Sequence, residues 1–515
     1  MQAPKAAMPA TEPTPVIEAT RALVQGLAGD ARARGQALAE RAAALNCVKL
    51  PVAERLEAFE ALRGAALHAL VDLDERLARV AQPLDVDARA DLFLARKLAA
   101  AMSSGYRTAV AELPPPVQGK RRPPVAPALL QSIQFAADVL LASFRAHVRV
   151  PEGAWKDLHA IYAAAESHGV AMGAAEAGTH RSIADVYGET LLLAVLDPYR
   201  LAAGECDRVL AMLRRLRAPY VLTREPPVSR AGGHFLVAGD LDQPPRSAML
   251  GDDEPGGPNW RFLDANPVVD RLTEAYQALE AGTPPPALAA WAADEARERI
   301  PRLMRLWADP PQRLMQRDSA SGSVAICVGV KPIAQFVAHD AGVEDETTAL
   351  RERLTMPLRA LPEDESGRLI PIHEWNVENL SRGGMKVRRA DPQAHPVTVG
   401  EVVGIRTPGK PLWTVGAVRW ITAQDDGATE FGVQFFAEAA CAVWMKAPSP
   451  ATPPRLAILV TFADDEGAEA LLAPAGAYSA GLEFEVRGEG LRYRARATEV
   501  VERTSHFDLF RIEPL

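Results

Sequence analysis

The sequence predicts an α+β multidomain protein: an N-terminal all-α domain, then a small β-barrel, then a C-terminal β-rich piece. Three observations predict this class. The chain has 515 residues, which is too long for one ordinary hydrophobic core. Up to residue 308 it is rich in Ala and Leu at helical spacing. Beyond residue 310 it changes to short Val-rich and aromatic runs interrupted by Gly, Pro and Asp, which is typical of strands.

Composition sets the broad class of protein. Hydrophobic residues make up 48% and charged residues 24% of the chain, as in soluble globular proteins. The formal net charge of −9 argues against a duplex nucleic-acid binder, which would carry a strongly basic domain. The four cysteines form no Cys-x-x-Cys pair, so we expect reduced thiols, no metal site and a cytoplasmic location. No apolar run approaches the ~20 residues of a membrane span, so no membrane insertion is expected.

The N-terminal region is predicted to be a non-repetitive bundle of helical hairpins. Residues 1–15 contain Pro, Ala and Thr without an apolar core, and they are predicted to be disordered. Residues 16–308 form the helical domain, in which apolar residues recur three and four positions apart. A proline-rich linker at 113–124 separates two of its helices. A short irregular β insertion near 225–267 is expected to contribute two strands before the helices resume.

A small all-β barrel is predicted at residues 309–446. The segments predicted as its strands are 324–330, 372–377, 385–389, 401–406, 413–421 and 431–436. The charged stretch at 338–366 is predicted to be a surface loop with one helical turn. A small all-β barrel is the simplest interpretation of many short strands separated by turn residues.

The chain beyond this barrel repeats part of its pattern. Residues 447–454 read as a proline-rich linker, and residues 455–515 are β-rich. Within the second of these stretches, the run from Gly481 to Val500 resembles the run from Gly400 to Trp420. A second, reduced barrel of the same kind is therefore predicted. We assign it no ligand, because it lacks the polar turn of the first barrel.

Two short motifs mark the first barrel. The first is an Asn-x-Ser-x-x-Gly turn, Asn379-Leu-Ser381-Arg-Gly-Gly384, which leads into a predicted strand. Gly384 has no Cβ, so another group can approach the backbone closely there. The second motif is a pair of arginines four positions apart, Arg313 and Arg317, just before another predicted strand. Each motif alone is common on protein surfaces, and their order and their strands give the combination its weight.

Together these motifs resemble the PilZ family, the small β-barrel receptors for the bacterial second messenger cyclic di-GMP. The resemblance covers about residues 310–446. It includes a strand that ends in Val-Arg-Trp at residue 420 and a closing Gly-Val-Gln-Phe strand at 432–435. It implies a PilZ-like barrel with a nucleotide site.

Cyclic di-GMP carries two phosphodiester charges and two guanines. Arginine suits both, because its planar fork makes paired hydrogen bonds to phosphate oxygens and to the guanine edge. The resemblance implies no further cofactor. The residues implied as the cyclic di-GMP site are Arg313, Arg317, Asn379, Ser381 and Gly384.

Three functional hypotheses follow. The first is a non-enzymatic cyclic di-GMP receptor whose helical domain serves as output or as the platform for an unidentified protein partner. The second is a PilZ-like scaffold that no longer binds nucleotide. The third is an enzyme housed in the helical domain, although the chain shows no catalytic motif. The residues that suggest this third hypothesis are His159, His168, His180, Glu166 and Glu176.

Overall fold

The computed structural model divides into two compact units. The helical unit comprises Met1–Val80, Asp85–Pro198 and Gly204–Pro311, and the double-barrel unit comprises Ala81–Leu84, Tyr199–Ala203 and Gln312–Leu515. The structure describes residues 14–113, 125–173, 181–217, 219–227, 232–248, 259–309, 318–341, 368–390, 396–410, 412–437, 440–448, 453–462, 469–488 and 490–515. The predicted disorder at 1–15 and the linker at 113–124 lie mostly outside the described residues, and half of the linker at 447–454 does so too.

The helical unit begins with eight α-helices, as the sequence predicts. They are α1 Pro15–Gln25, α2 Ala31–Asn46, α3 Val52–Leu77, α4 Val86–Ala111, α5 Val125–Arg145, α6 Ala154–Ser167, α7 Ile183–Val195 and α8 Glu205–Leu216. Polar residues at several helix starts satisfy free backbone N–H groups. The Asp30 side chain accepts from the N–H of Ala33, and Ser182 and Asp185 form a capping box at α7.

Helix α5 lies at the centre of this bundle. It packs against α4, α6 and α7. By length and composition it is the one helix among the described residues that could cross a membrane, and 72% of its most apolar window is buried inside the protein. The sequence analysis expected no such helix. The core helix of a protein interior has this composition because it is apolar on every side.

A small sheet follows the eight helices. It has the order β1-β4-β2-β3, formed by β1 Val221–Thr223, β2 His234–Ala238, β3 Arg246–Ser247 and β4 Trp260–Asp264. The sequence predicts two of these strands, and the other two are only two and three residues long. The unit ends with α9 Asn266–Glu280 and α10 Ala293–Ala308.

In its described residues, the double-barrel unit contains thirteen strands and one α-helix. The first barrel consists of β5 Asp318–Ser319, β6 Ser323–Val328, β7 His373–Ser381, β8 Gly384–Arg389, β9 Val402–Arg406, β10 Thr414–Ala423 and β11 Thr429–Ala437, with helix α11 at Val330–Ala341. The second barrel consists of β12 Ala440–Lys446, β13 Arg455–Thr461, β14 Glu469–Pro474, β15 Glu483–Gly488, β16 Leu491–Arg503 and β17 Phe507–Pro514.

The first barrel is a ring of six strands. Its order is β7-β6-β9-β10-β11-β8, and β8 pairs with β7 to close the ring, while β5 adds to the outer edge of β7. The side chains that point inward form one apolar core that includes Trp375, Val387 and Phe431. The alternation of apolar and polar residues in the sequence therefore predicts the inner and outer faces of most of this barrel.

Helix α11 corrects one prediction. The sequence analysis assigned 324–330 to a strand and 338–366 to a loop with one helical turn. The strand instead ends at Val328, Gly329 adopts a positive φ of 95°, and the helix begins at once. Glycine suits this position because other residues rarely adopt such a φ angle. The rest of the segment, 342–367, lies outside the described residues.

The second barrel is a closed ring with the same topology as the first. Its order is β13-β12-β15-β16-β17-β14, which repeats the first ring strand by strand when six is added to each label. The strand Ala440–Lys446, which the sequence analysis placed in the first barrel, pairs with β13 and β15 of the second. The second barrel thus has six strands, as the first ring does, and it is not reduced.

The two barrels share a hydrophobic core. Helix α11 packs against β6 and β9 of the first barrel and against β12, β13 and β14 of the second. The Phe336 ring lies 5.5 Å from Trp413, and Phe436 meets Phe507 edge to face at 5.6 Å. Because this apolar surface is buried from both sides, we treat the two barrels as one body.

Candidate functional site

The Asn-x-Ser-x-x-Gly turn joins β7 to β8. Ser381 pairs directly with Gly384, so only two residues, Arg382 and Gly383, make the connection. The Ser381 hydroxyl donates to the carbonyl oxygen of Gly384 at 3.2 Å, and the backbone N–H of Phe435 donates to that of Gly383 at 3.0 Å. The turn is therefore fixed by hydrogen bonds to both of its ends.

A β-bulge places the polar residues of the turn outside the barrel. The β7–β8 register slips at Glu378, after which Asn379 pairs with Lys386 and Ser381 with Gly384. In a regular strand Asn379 would point to the core as Val377 does, because side chains alternate between the two faces. The bulge reverses this alternation, so that Asn379 and Ser381 share the outer face with Lys386.

The strand register extends this outer face across four strands. One row runs from Asn379 on β7 through Lys386 on β8 and Gly432 on β11 to Trp420 on β10. A second row contains Ser381, Gly384 and Gln434. We call this surface the turn face and define it by these seven residues: Asn379, Ser381, Gly384, Lys386, Trp420, Gly432 and Gln434.

Asn379 carries an unsatisfied polar atom. Its side-chain oxygen, Oδ1, is shielded from solvent and has no hydrogen-bond partner among the described residues. Burying such an oxygen without a partner costs about 1–3 kcal/mol. Because this oxygen destabilises the folded protein and lies beside a turn on the outer face, it is suited to accept a hydrogen bond from a ligand.

Gly384 is required by the barrel itself. A Cβ atom at this position would lie 2.1 Å from the carbonyl oxygen of Val433 on β11. The sequence analysis attributed this glycine to close approach of a ligand. The structure supplies a different reason, because the neighbouring strand already fills the space.

Arg313 and Arg317 lie outside the described residues. The residue that follows them is placed, however. Asp318 pairs with Leu380, and Ser319 pairs with Asn379. The chain therefore enters strand β5 beside the turn, directly after Arg317. The charged insertion lies between α11 and β7 in the chain, and β5 pairs with β7 across it.

The sequence analysis missed the charge balance of the turn face. The Lys386 ammonium lies 2.6 Å from Glu378 and 2.9 Å from Glu430. Burial lowers the pKa of Lys386, but hydrogen bonds to the two carboxylates outweigh burial and raise it overall. Arg388 lies farther from the same carboxylates, at 4.0 and 3.7 Å. Two positive and two negative charges thus cancel here.

Trp420 forms a flat part of the turn face. Its indole lies over Gly432, where an added Cβ would come within 2.0 Å of Nε1. The Lys386 ammonium is 6.0 Å from the centre of the tryptophan ring. The sequence carried the signal for this contact, since the Val-Arg-Trp and Gly-Val-Gln-Phe runs lie on adjacent strands. Only the register shows that tryptophan and glycine face each other.

Two of the residues proposed for an enzyme in the helical unit, His159 and Glu166, have structural partners. His159 is buried; its Nδ1 lies 2.7 Å from the Tyr187 hydroxyl and its Nε2 lies 3.1 Å from the carbonyl oxygen of Gln243. Because a carbonyl only accepts, Nε2 donates to Gln243. Burial lowers the pKa of His159 and so favours the neutral ring, in which Nδ1 accepts from the Tyr187 hydroxyl. Glu166 is held by Arg261, and the positions of Glu176 and His180 lie outside the described residues.

A buried charge cluster occupies the bundle around Arg145. This guanidinium lies 2.8 Å from Asp74 and 2.7 Å from Asp207. Burial raises the pKa of Asp74 to about 7, although the charge of Arg145 opposes that change. No group of three or more His, Cys, Asp or Glu with metal-binding geometry occurs among the residues that the structure describes. We read the cluster as part of the bundle's packing.

Comparison with known proteins agrees with the class that the barrel and its turn define. The family model for the middle PilZ domain of the cyclic-di-GMP receptor FimW matches residues 346–441. The model for the N-terminal domain of the same receptor matches residues 18–226. Together the two matches cover more than half of the chain. The chain therefore belongs to the PilZ-domain family, with an N-terminal domain of the FimW type in front.

One curated relative is similar over most of its length. The cyclic-di-GMP receptor FimW of Pseudomonas aeruginosa is 23% identical over 459 residues, covering 77% of this chain and 73% of the relative. No solved structure matches the chain. The middle-domain match contains the whole Asn379–Gly384 turn, and it begins after Arg313 and Arg317.

Proposed function

We propose that this protein is a non-enzymatic receptor that binds cyclic di-GMP on the turn face of its first barrel. The observation that carries the proposal is the Asn379–Gly384 turn, whose bulge directs Asn379 outward and whose Asn379 Oδ1 has no hydrogen-bond partner within the described part of the chain. Membership of the PilZ-domain family and similarity to a receptor of that name support the ligand's identity.

Each part of the ligand has a complementary group. The Asn379 oxygen can accept a hydrogen bond from the N1 or N2 hydrogens of a guanine. The Trp420 ring offers a surface on which a base can stack, and such stacking is worth about 1–3 kcal/mol per base. Because two carboxylates neutralise Lys386 and Arg388, these two side chains give the phosphates no excess positive charge. Arg313 and Arg317 would supply that charge from the segment that leads into β5.

Calorimetric titration of the full chain with cyclic di-GMP tests the proposal. The full chain is needed because the two barrels share one core. We expect Arg313→Ala with Arg317→Ala to weaken binding at least about 100-fold, since two charge-assisted contacts are lost. The matched control is Arg492→Ala with Arg494→Ala on the second barrel. No heat with the wild type, or equal heat with the Arg313/Arg317 variant, would leave the non-binding scaffold as the better description.

We further propose that the helical unit is the output of the receptor and contacts a protein partner. Two observations support this proposal: the helices form a separate compact unit, and residues 18–226 match the N-terminal domain of the FimW receptor. A ligand can shift a conformational equilibrium only if it binds the two states with different affinity. Hydrogen exchange in α1–α10 with and without cyclic di-GMP tests this. Identical exchange at saturating ligand would contradict coupling to the helical unit.

A further inference from the structure

Gln434 lies at the edge of the turn face nearest the second barrel. It is exposed on β11, directly opposite Gly384 on β8. Paired strands are about 4.8 Å apart, so the Gln434 side chain begins one strand spacing from the glycine of the turn. The two family-model matches end at residue 441, so they do not cover most of the second barrel.

Arg419 connects Gln434 to the second barrel. On β10, Val418 pairs with Val433 and Trp420 pairs with Gly432, and Arg419 is the extra residue of the β-bulge between them. Its Nε donates to Oε1 of Gln434 at 2.8 Å. Its two terminal nitrogens both contact the carboxylate of Glu502 on β16, and the Nη2–Oε2 distance is 2.7 Å. A two-point contact of this kind fixes the plane of a guanidinium.

This arrangement decides which end of Gln434 a ligand meets. Arginine can only donate, so the Gln434 atom that it binds is the oxygen. The amide NH₂ of Gln434, with two N–H donors, is then the group presented to solvent beside the turn. Phosphate oxygens and the O6 and N7 atoms of guanine are all acceptors, so they suit such a donor.

Glu502 is itself held in place by contacts between the barrels. The loop after it returns to the first barrel, where the Thr504 hydroxyl donates to the carbonyl oxygen of Gly400 at 3.2 Å. His506 Nε2 lies 3.2 Å from the Thr398 hydroxyl. With the shared apolar core, these contacts give Glu502 a defined position relative to Arg419.

We propose that the second barrel completes the nucleotide site: Glu502 orients Arg419, and Arg419 turns the Gln434 amide so that its NH₂ donates to the ligand. Gln434 is the binding residue, and Arg419 and Glu502 are positioning residues. This inference rests on the proposed function, because it names a further contact with cyclic di-GMP. It gives the second barrel a role although that barrel lacks the polar turn.

Titration of full-length variants with cyclic di-GMP tests the proposal. Gln434→Ala should weaken binding about tenfold, the usual effect of losing a hydrogen bond to a charged group. Glu502→Gln should weaken it by a smaller factor, because Arg419 is released and Gln434 loses its fixed orientation. In a Gln434→Ala background, Glu502→Gln should have no further effect, since a residue that acts only through Gln434 is silent without it.

Two further variants make the test specific. Gln434→Glu keeps an oxygen for Arg419 but replaces the donor by a second oxygen, so it should weaken binding more than Gln434→Ala. Glu483→Gln is the matched control, because Glu483 pairs with Arg494 and Arg496 of its own barrel, and it should bind as the wild type does.

Several results would overturn the inference. These are wild-type affinity in Glu502→Gln or in Gln434→Glu, additive losses in the double variant, and an equal loss in Glu483→Gln. If the wild type itself binds no cyclic di-GMP, the proposed function fails and this inference fails with it. That outcome is visible before any variant is measured, so the two failures are distinguishable.

Discussion

The two barrels have the same ring of strands, but the side chains on their outer faces differ in how they are paired. On the second barrel, β15 and β16 carry a ladder of charges in which two glutamates are each shared between two arginines. Glu485 pairs with Arg487 and Arg492, and Glu483 pairs with Arg494 and Arg496. On the first barrel, the turn face holds Asn379 Oδ1 without a partner among the described residues. Glu483 and Glu485 on the second barrel each have two arginine partners, whereas the side-chain oxygen of Asn379 on the first barrel has none among the described residues.

Under the function that we propose, this difference distinguishes a ligand face from a scaffold face on one fold. Topology and core packing are common to both barrels, so they do not carry function. What changes is the bulge at Glu378, which directs polar side chains outward, and the glycines, which let backbone and rings lie close. Buried polar atoms are normally paired, so the Asn379 oxygen, which has no partner among the described residues, supports the proposal that this face binds a ligand.

The glycines offer the largest test of this comparison. Gly384→Ala should destabilise the double-barrel unit by about 3 kcal/mol, because the added Cβ would lie 2.1 Å from the Val433 carbonyl oxygen and backbone must move. Gly488→Ala in the second barrel is the control. Its Cβ would meet a Val443 methyl group at 3.0 Å, and a side chain adjusts more easily than backbone. Denaturant unfolding measures both. Equal effects would show that the turn face is not packed more tightly than its counterpart.

The ion pairs offer the next largest test. Lys386→Met removes the ammonium between Glu378 and Glu430, and the Glu430 side chain is only 7% exposed. The buried Glu430 carboxylate then still has Arg388 as a partner, with an N–O distance of 3.7 Å. We therefore expect the free energy of unfolding to fall by about 2 kcal/mol. Arg494→Met on the second barrel, where the side chain is 64% exposed, should change the unfolding free energy far less. A large effect of Arg494→Met would mean that the exposed ladder matters more than its solvent exposure suggests.

Much of this fold could be predicted from the sequence. The helical domain, the strands of the first barrel and the turn at 379–384 all follow from hydrophobic periodicity and turn residues. Strand β14 could not be predicted, because Glu-Ala-Leu-Leu-Ala-Pro has low β propensity and is a strand only through its neighbours. Helix α11 was missed because it begins with Val330 immediately after an apolar strand.

The candidate site was harder to predict than the fold. Asn379 and Ser381 were found from their spacing, yet the outward direction of both depends on a bulge that only the pairing with β8 defines. Trp420 and Gly432 are twelve positions apart, and their contact depends on a second bulge in β10. Bulges depend on tertiary packing, so no local sequence pattern predicts them.

Asn379 offers a test in which stability and binding should move in opposite directions. Asn379→Leu removes the unsatisfied oxygen and should raise the unfolding free energy by about 1 kcal/mol, while it weakens cyclic di-GMP binding at least about tenfold. Thr461→Leu is the control, because Thr461 ends β13, the strand of the second barrel that corresponds to β7. It should leave binding unchanged. A variant that is both less stable and fully able to bind would show that the Asn379 oxygen serves the fold.

The charged ladder gives the smallest expected effect and a pH dependence. Hydrogen bonds to Arg487 and Arg492 lower the pKa of Glu485 from 4.5 to about 2. A carboxyl whose pKa is lower in the folded state contributes stability above its unfolded pKa, and that contribution disappears as the pH falls from 4.5 to about 2. Glu485→Gln should therefore lower the melting temperature slightly, by at most about 2 °C at neutral pH, because exposed ion pairs contribute little. The gap between wild type and variant should close toward pH 2. A gap that stays constant down to pH 2 would show that Glu485 acts through packing and not through its charge.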